Sequence, residues 1–286
     1  MSRVALEAMG MHPWSVEEFL ALNLDLFPLQ SFTGGNPAIV ASIVVAFLVG
    51  ILGAYLGYRR YQSGKLIAAT ETAPIGSITP GRVGITGTVR PVDETLTAKF
   101  TDDECVWYGY SITDHLETEE EDDEGNTVHE IETRERGDGT KSVEFYVEDD
   151  TGTALIDVED GVKYSISSEN KHRFRKKRHQ PIEDPEFTYE DQYLPSGTKQ
   201  RSYRQSMLPV GEKVFVMGSA RAAPTDENTA TVVMSTDEET DTFIVSDERQ
   251  DELASGKLRS GLLIILLSLA MSAVTLYLLV SDFVLV

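Results

Sequence analysis

Cysteine is almost missing from this chain of 286 residues: Cys105 is the only one. Its scarcity excludes an intrachain disulfide framework and any cysteine-rich zinc site. Basic residues are scarce too, with 25 Lys and Arg against 47 Asp and Glu, a formal net charge of −22 and a pI near 4.5. Wholesale coating of nucleic acid needs a basic footprint, so the charge balance argues against that class of function. The histidines at 12, 115, 129, 172 and 179 are scattered. No P-loop, dinucleotide fingerprint, HExxH, GxSxG or paired-cysteine motif occurs. The expectation is a chain without cofactor or metal that leans towards binding rather than catalysis.

Charge and apolar residues are segregated. Residues 37–58 (PAIVASIVVAFLVGILGAYLGY) and 260–281 (SGLLIILLSLAMSAVTLYLLVS) carry no charge. At about 1.5 Å per residue, each makes a helix of about 33 Å, long enough to cross a bilayer. The first run starts too far from the N-terminus, and is too long, for a cleaved signal peptide. Arg59, Arg60 and Lys65 follow the first run, and Lys257 and Arg259 precede the second. The positive-inside rule therefore places residues 59–259 in the cytoplasm of a two-pass cell-membrane protein, with both termini outside. Gly53 and Gly57 form a GxxxG with Gly50 and Ala54 beside them. That spacing brings helix backbones close, between the two spans or between subunits of a homo-oligomer, although ordinary membrane composition also produces it. In the extracytoplasmic segment 1–36, Ser15 and Glu18 make a capping box and Trp14 and Phe19 a hydrophobic staple. They predict a short amphipathic helix over about 16–26, lying on the outer membrane surface or packing on the spans.

Residues 1–36 sum to −3 and 260–286 to −1, which leaves −18 for the stretch between. Dense negative charge keeps a protein hydrated and dispersed at very high salt and repels itself when salt is low. A salt-loving, archaeal source is the expectation. The densest acidic run, 117–124 (ETEEEDDE), fails as a calcium loop: with Gly125 at the sixth position, the twelfth is Ile131 rather than a glutamate. It reads as a solvated hairpin tip closed by 123–126.

The stretch 59–259 alternates apolar and polar residues in short segments: 82–89, 105–112, 127–134, 143–149, 153–159, 213–220, 229–235 and 241–246. This period of two predicts a mainly β domain, an antiparallel barrel or sandwich, inserted between two transmembrane α-helices. Asp149 to Gly152 reads as a tight hairpin, Gly211 as the turn before the next strand, and Gly218 as a possible bulge. Ser246 caps a predicted short helix over 247–253 that Gly256 would end. Residues 165–204 show no strong periodicity and read as one long basic loop, the kind of segment that often carries function.

Two sites stand out. Cys105 sits among Val106, Trp107 and Tyr108, as a buried core thiol would; a nucleophile there would need a histidine, His115 being nearest in sequence. Residues 171–179 (KHRFRKKRH) place Lys171, Arg173, Arg175, Lys176, Lys177 and Arg178 in an otherwise acidic domain. They are the candidate lipid- or partner-binding residues. Three readings stay open: attraction to anionic headgroups of the lipid bilayer, docking of an acidic protein partner or nucleic acid, or neutralisation by the protein's own acids. His172 and His179 flank or interrupt the run and would hold a metal only with acids supplied from elsewhere.

The order of pieces is informative as a set: a span, GRVGITGTVRP, ECVWYGY, VEFYVEDDTGTALIDV, LPVGEKVFVMGSA, FIVSDERQDEL and a second span. It resembles the GIDE, or "beside a membrane", domain family, whose mitochondrial members are RING-type E3 ubiquitin ligases. The resemblance covers roughly 59–286. It implies an OB-like barrel, a membrane-held binding or scaffold module, and a link to ubiquitin-like modification or membrane quality control. In those relatives the ligase chemistry belongs to a RING beyond the second span, and a single cysteine cannot supply its zinc ligands. A lipid-associated sensor using the basic stretch, or an unrecognised hydrolase or ligase, are the other readings.

The charge balance generates a direct expectation. Circular dichroism of the intact chain in detergent, across a potassium chloride series, should show β structure lost as salt is withdrawn; a signal unchanged near zero salt would count against salt adaptation.

Overall fold

The computed structural model describes residues 37–121, 127–178, 180–190, 194–223, 230–237 and 239–284. The helix expected over 16–26, the hairpin tip at 123–126 and His179 lie outside them. The contacts divide the chain into two compact units, 1–62 with 258–286, and 63–257.

The first unit consists of most of α1 (Pro37–Ala69) and α2 (Gln250–Val284), both long and apolar enough to cross a membrane. They meet antiparallel along a seam of small residues. A Cβ added to Gly53 would come within 2.5 Å of Ser268 Oγ, and one on Gly57 within 3.0 Å of the Gly261 carbonyl. The glycine spacing thus serves close approach between the two spans of one chain. Ser272, buried in the seam, donates from Oγ to the Ser268 carbonyl at 2.9 Å. Leu48, Leu52, Leu266 and Leu269 point outward, as lipid-facing side chains do. The pair fits a two-pass membrane protein. The short helix expected over 247–253 is instead the start of α2, which runs on through Gly256. One interior glycine costs a helix about 1 kcal/mol, less than the hydrogen bonds a break would leave unmade.

The second unit is built on a closed ring of five strands. β1 (Gly81–Pro91) pairs with β5 (Phe145–Asp149), β5 with β6 (Gly152–Ile156), β6 with β11 (Val232–Ser235), β11 with β10 (Lys213–Ala222), and β10 back to β1. Among the ring pairs, only β6 and β11 run parallel. Counting the ring strands along the chain, the order around it is 1-2-3-5-4, that of an OB-type barrel. Period-two burial turns Ile85, Val89, Phe145, Val147, Ile156 and Val216 into its core. β12 (Ile244–Ser246) and β7 (Lys163–Ser165) extend the sheet beyond β10. On the outer side of β10, Phe215 and Met217 pack with Ile67 at the end of α1 and Leu253 at the start of α2. Gln250 ties those ends: its Nε2 donates to the carbonyls of Ile67 and Thr70 at 2.8 and 2.9 Å, covering acceptors the helix end leaves open.

Gly211 adopts φ +84° as expected for its turn. Gly218 marks no bulge, since the β1–β10 register passes it unbroken, Val83 opposite Gly218. It lies where β10 changes neighbour from β12 to β11, and a Cβ there would meet the Ser235 carbonyl at 2.5 Å.

A second sheet is formed by two excursions from the ring. The β1-to-β5 connection supplies β2 (Leu96–Thr97), β3 (Glu104–Glu121) and β4 (Thr127–Ser142), and the β6-to-β10 connection supplies β8 (Lys171–Lys177) and β9 (Thr198–Pro209). The path is β2-β3-β9-β8, with β4 also on β3. Here the structure corrects the sequence reading of 165–204 as a loop: the basic run is strand β8, and β9 begins at Thr198. The apolar alternation that reveals a strand is broken because two inward positions of β9, Arg201 and Gln205, are polar and alternate with Tyr203 and Met207.

The β5–β6 hairpin is held by one carboxylate. Asp149 Oδ1 accepts from Thr151 N (2.7 Å), Thr151 Oγ1 (2.6 Å) and Gly152 N (2.9 Å), and Oδ2 accepts from Ile75 N (2.9 Å). Burial pushes its pKa up, but the Thr151 hydroxyl and the three backbone amides together hold it below the usual value. Such a group stabilises the fold fully above its unfolded pKa, and that contribution is lost as pH falls through the lower folded value. Asp149→Ala should therefore cost at least about 2 kcal/mol in denaturant unfolding at neutral pH. It should also flatten the acid limb of the stability profile; coincident acid limbs for variant and parent would count against this role.

Candidate binding face on the second sheet

β8 is the terminal strand of its sheet, and among the described strands it pairs with β9 alone, Arg173 opposite Arg204 and Phe174 opposite Tyr203. Alternation sorts its side chains. Lys171, Arg173, Arg175 and Lys177 are exposed on one face; His172, Phe174 and Lys176 take the other. Arg204 joins the exposed face from β9. Lys171, Arg173, Arg175, Lys177 and Arg204 have no ion pair or hydrogen bond of their side chains among the described residues. These five cations are therefore not neutralised by direct contact with described residues. Arg178, past the strand end, donates from Nη2 to the Pro195 carbonyl at 3.4 Å. The sequence run thus separates into four cations brought together on one face, one on the other and one beyond. Arg204 was missed because only strand register places it there.

The other face explains why the strand is held. Phe174 is 3% exposed and packs on Phe187 with ring centroids 4.9 Å apart. Phe187 lies 5.1 Å from Tyr203, which sits edge-on to Phe100 at 5.2 Å. Each such aromatic pair contributes about 0.5–1.5 kcal/mol beyond burial. Thr188 N donates to the Phe100 carbonyl at 3.0 Å, and His172 Nδ1 lies 3.3 Å from Glu186 Oε2, so residues 182–189 are strapped across this cluster. Between the strap and β8 lies a cleft of about 530 Å³. One wall is Arg173, Phe174 and Arg175; the other includes Ile182, Glu183, Asp184 and Glu186.

Deeper in the sheet, Asp114 on β3 faces Arg201 on β9. Arg201 Nε donates to Oδ1 at 2.6 Å and Nη2 to Oδ2 at 3.1 Å, with both side chains at most 5% exposed. Those bonds hold the Arg201 proton more tightly than usual, outweighing burial. Arg136, left unpaired where the β3–β4 register shifts, reaches Asp114 Oδ2 at 3.5 Å, as a bulge re-aims a side chain. Gln205 Oε1 accepts from Phe100 N at 2.7 Å. Nothing in the sequence signalled this network: Asp114 lies past the expected strand segment 105–112, and Arg201 lies in the stretch read as a loop.

Cys105 is fully buried; burial first, then the nearby Asp103 charge, push its thiol up to about 12. His115 is ten residues further along β3, about 33 Å at strand spacing, so these two residues form no dyad. His115 Nε2 instead lies 3.0 Å from Ser202 Oγ. Among the described residues no group of three or more His, Cys, Asp or Glu is placed to hold a metal.

A family model, GIDE, described as E3 ubiquitin ligase, matches residues 114–280, more than half of the chain. The chain belongs to the GIDE family. The GIDE match takes in Asp114, Arg201, the whole of β8 and most of α2. This is an E3-ligase-related membrane protein in its family and its pair of apolar helices. No curated protein and no solved structure matches it, so the OB likeness of this GIDE domain rests on its strand order.

Cys105 yields a plain expectation. At pH 8 the native protein should react with iodoacetamide at least about a hundredfold more slowly than the denatured one, because the thiolate is both rare and enclosed. Comparable rates would show the thiol to be reachable.

Proposed function

We propose that this GIDE chain is a non-catalytic binding module, held at the membrane by its two helices, that recruits protein partners through its second sheet. The observation that carries the reading is the exposed face of Lys171, Arg173, Arg175, Lys177 and Arg204, without acid partners among the described residues in a stretch of net −18. Maintaining like charges side by side, Arg173 opposite Arg204, costs the free fold stability; a partner that uses them is the economical account. The family description supports a connection to ubiquitin-like modification or membrane quality control. A RING requires sets of Cys and His ligands, and these 286 residues hold one cysteine, so ligase chemistry of that type is not placed in them. The basic flanks Arg59, Arg60, Lys65, Lys257 and Arg259 support a cytoplasmic domain.

Proximity labelling from the intact protein in its membrane should enrich a ubiquitin-like conjugation component reproducibly. Reversing the charge of Arg173 and Arg204 together should cut that enrichment by about tenfold. A labelling profile equal to that of the two spans alone would refute the recruiting role.

A further inference from the structure

We propose that the outer edge of β8 is a docking site for an extended acidic peptide of a partner protein, which adds to the second sheet as a further strand. The inference rests on the binding-module reading and names the partner of that module by its chemistry.

Two observations converge on β8. The first is its backbone. In an antiparallel pair, residues alternate between bonding their neighbour and turning N–H and C=O away from it. β8 spans seven residues and among the described strands pairs only with β9, so part of its main chain faces outward. The cleft of about 530 Å³ beside Arg173, Phe174 and Arg175 leaves that edge within reach.

The second observation is the spacing of charge. Lys171, Arg173, Arg175 and Lys177 recur at the strand period, all exposed and without a side-chain partner among the described residues. Residues two apart on an added strand also share a face, so acids at alternate positions would stand about 5 Å from these cations. Their approach would relieve the Arg173–Arg204 repulsion. The far wall of the cleft narrows the requirement. Glu183, Asp184 and Glu186 line it, so a peptide acidic on both faces is repelled, and the fitting sequence alternates acidic with neutral residues. Cations along an edge also deter neutral or basic strands, which makes the edge selective for charge. A lipid headgroup layer has neither the period nor a backbone to pair with.

The test uses the full chain in nanodiscs of zwitterionic lipid, at the lowest salt that keeps it folded. The probe is a fluorescein-labelled peptide of about ten residues alternating Glu with Thr or Val. Fluorescence anisotropy should show saturable binding that falls by about tenfold or more with Arg173→Glu plus Arg175→Glu, whose charge-assisted contacts are lost. Methylating alternate amide nitrogens of the peptide should weaken binding to the parent protein by a similar factor, about tenfold. This second arm decides if the double variant fails to fold. A peptide with Lys in place of Glu should not bind. Absence of saturable binding, or affinity unchanged by N-methylation, overturns the proposal. So does binding of the parent to phosphatidylserine vesicles, lost in the double variant, when the peptide does not bind; that result assigns the face to lipid. Proximity labelling that keeps its partners in the double variant leaves the binding module standing and removes β8 as its site.

Discussion

The antiparallel ladder from Gly81↔Ala220 to Thr88↔Lys213 closes the ring of five strands, and the rest of the domain depends on it. Closure removes the open edges that a short sheet would otherwise expose. It also sets where the chain leaves the barrel: after Pro91 on β1, and after Ile156 on β6. The excursions that start there meet again as β3 and β9, rooted in the barrel by Val106 and Leu208, which share its core. Trp107 at the base of β3 stacks on Tyr164 of β7 at 4.3 Å, so the second sheet is clamped to the first at its foot.

Beyond that foot the second sheet is held by different chemistry. Its interior carries Asp114 and Arg201 in a bidentate pair, with Arg136 alongside and Gln205 satisfying the Phe100 amide. Burying such a pair brings little net stability, but losing one member leaves a charge stranded, at about 3–5 kcal/mol. What the pair does supply is register. Asp114 and Arg201 are direct cross-strand partners, and a slip by one residue would send each to the opposite face. That register sorts Arg204 and the odd-numbered cations of β8 to the exposed side.

How much of this was legible in the sequence follows from the same contrast. The barrel strands announced themselves because Val, Ile and Phe recur among their inward residues at alternate positions. The two spans were equally plain, and Asp149 in DDTG marked its hairpin. β8 and β9 were hidden because one alternates cations with His and Phe, and the other buries Arg201 and Gln205, so hydropathy loses its period there. Gly256 misled because a glycine beyond a short helix usually stops it, whereas here it lies inside a helix of 35 residues. The exposed basic face was visible only as a run; its division into two sides, and the addition of Arg204, required the pairing.

The same ladder imposes an order of events on biosynthesis. β1 must wait for a partner more than 120 residues downstream, and the ring stays open until β11 ends at Ser235, only fifteen residues before α2 begins. Until β10 is made, residues 81–87 of the first barrel strand thus lack their ladder partner, an open edge of the kind that aggregates when chains meet. α1 precedes that strand and is long and apolar enough to enter a bilayer, so the open edge waits on a chain that can already be anchored.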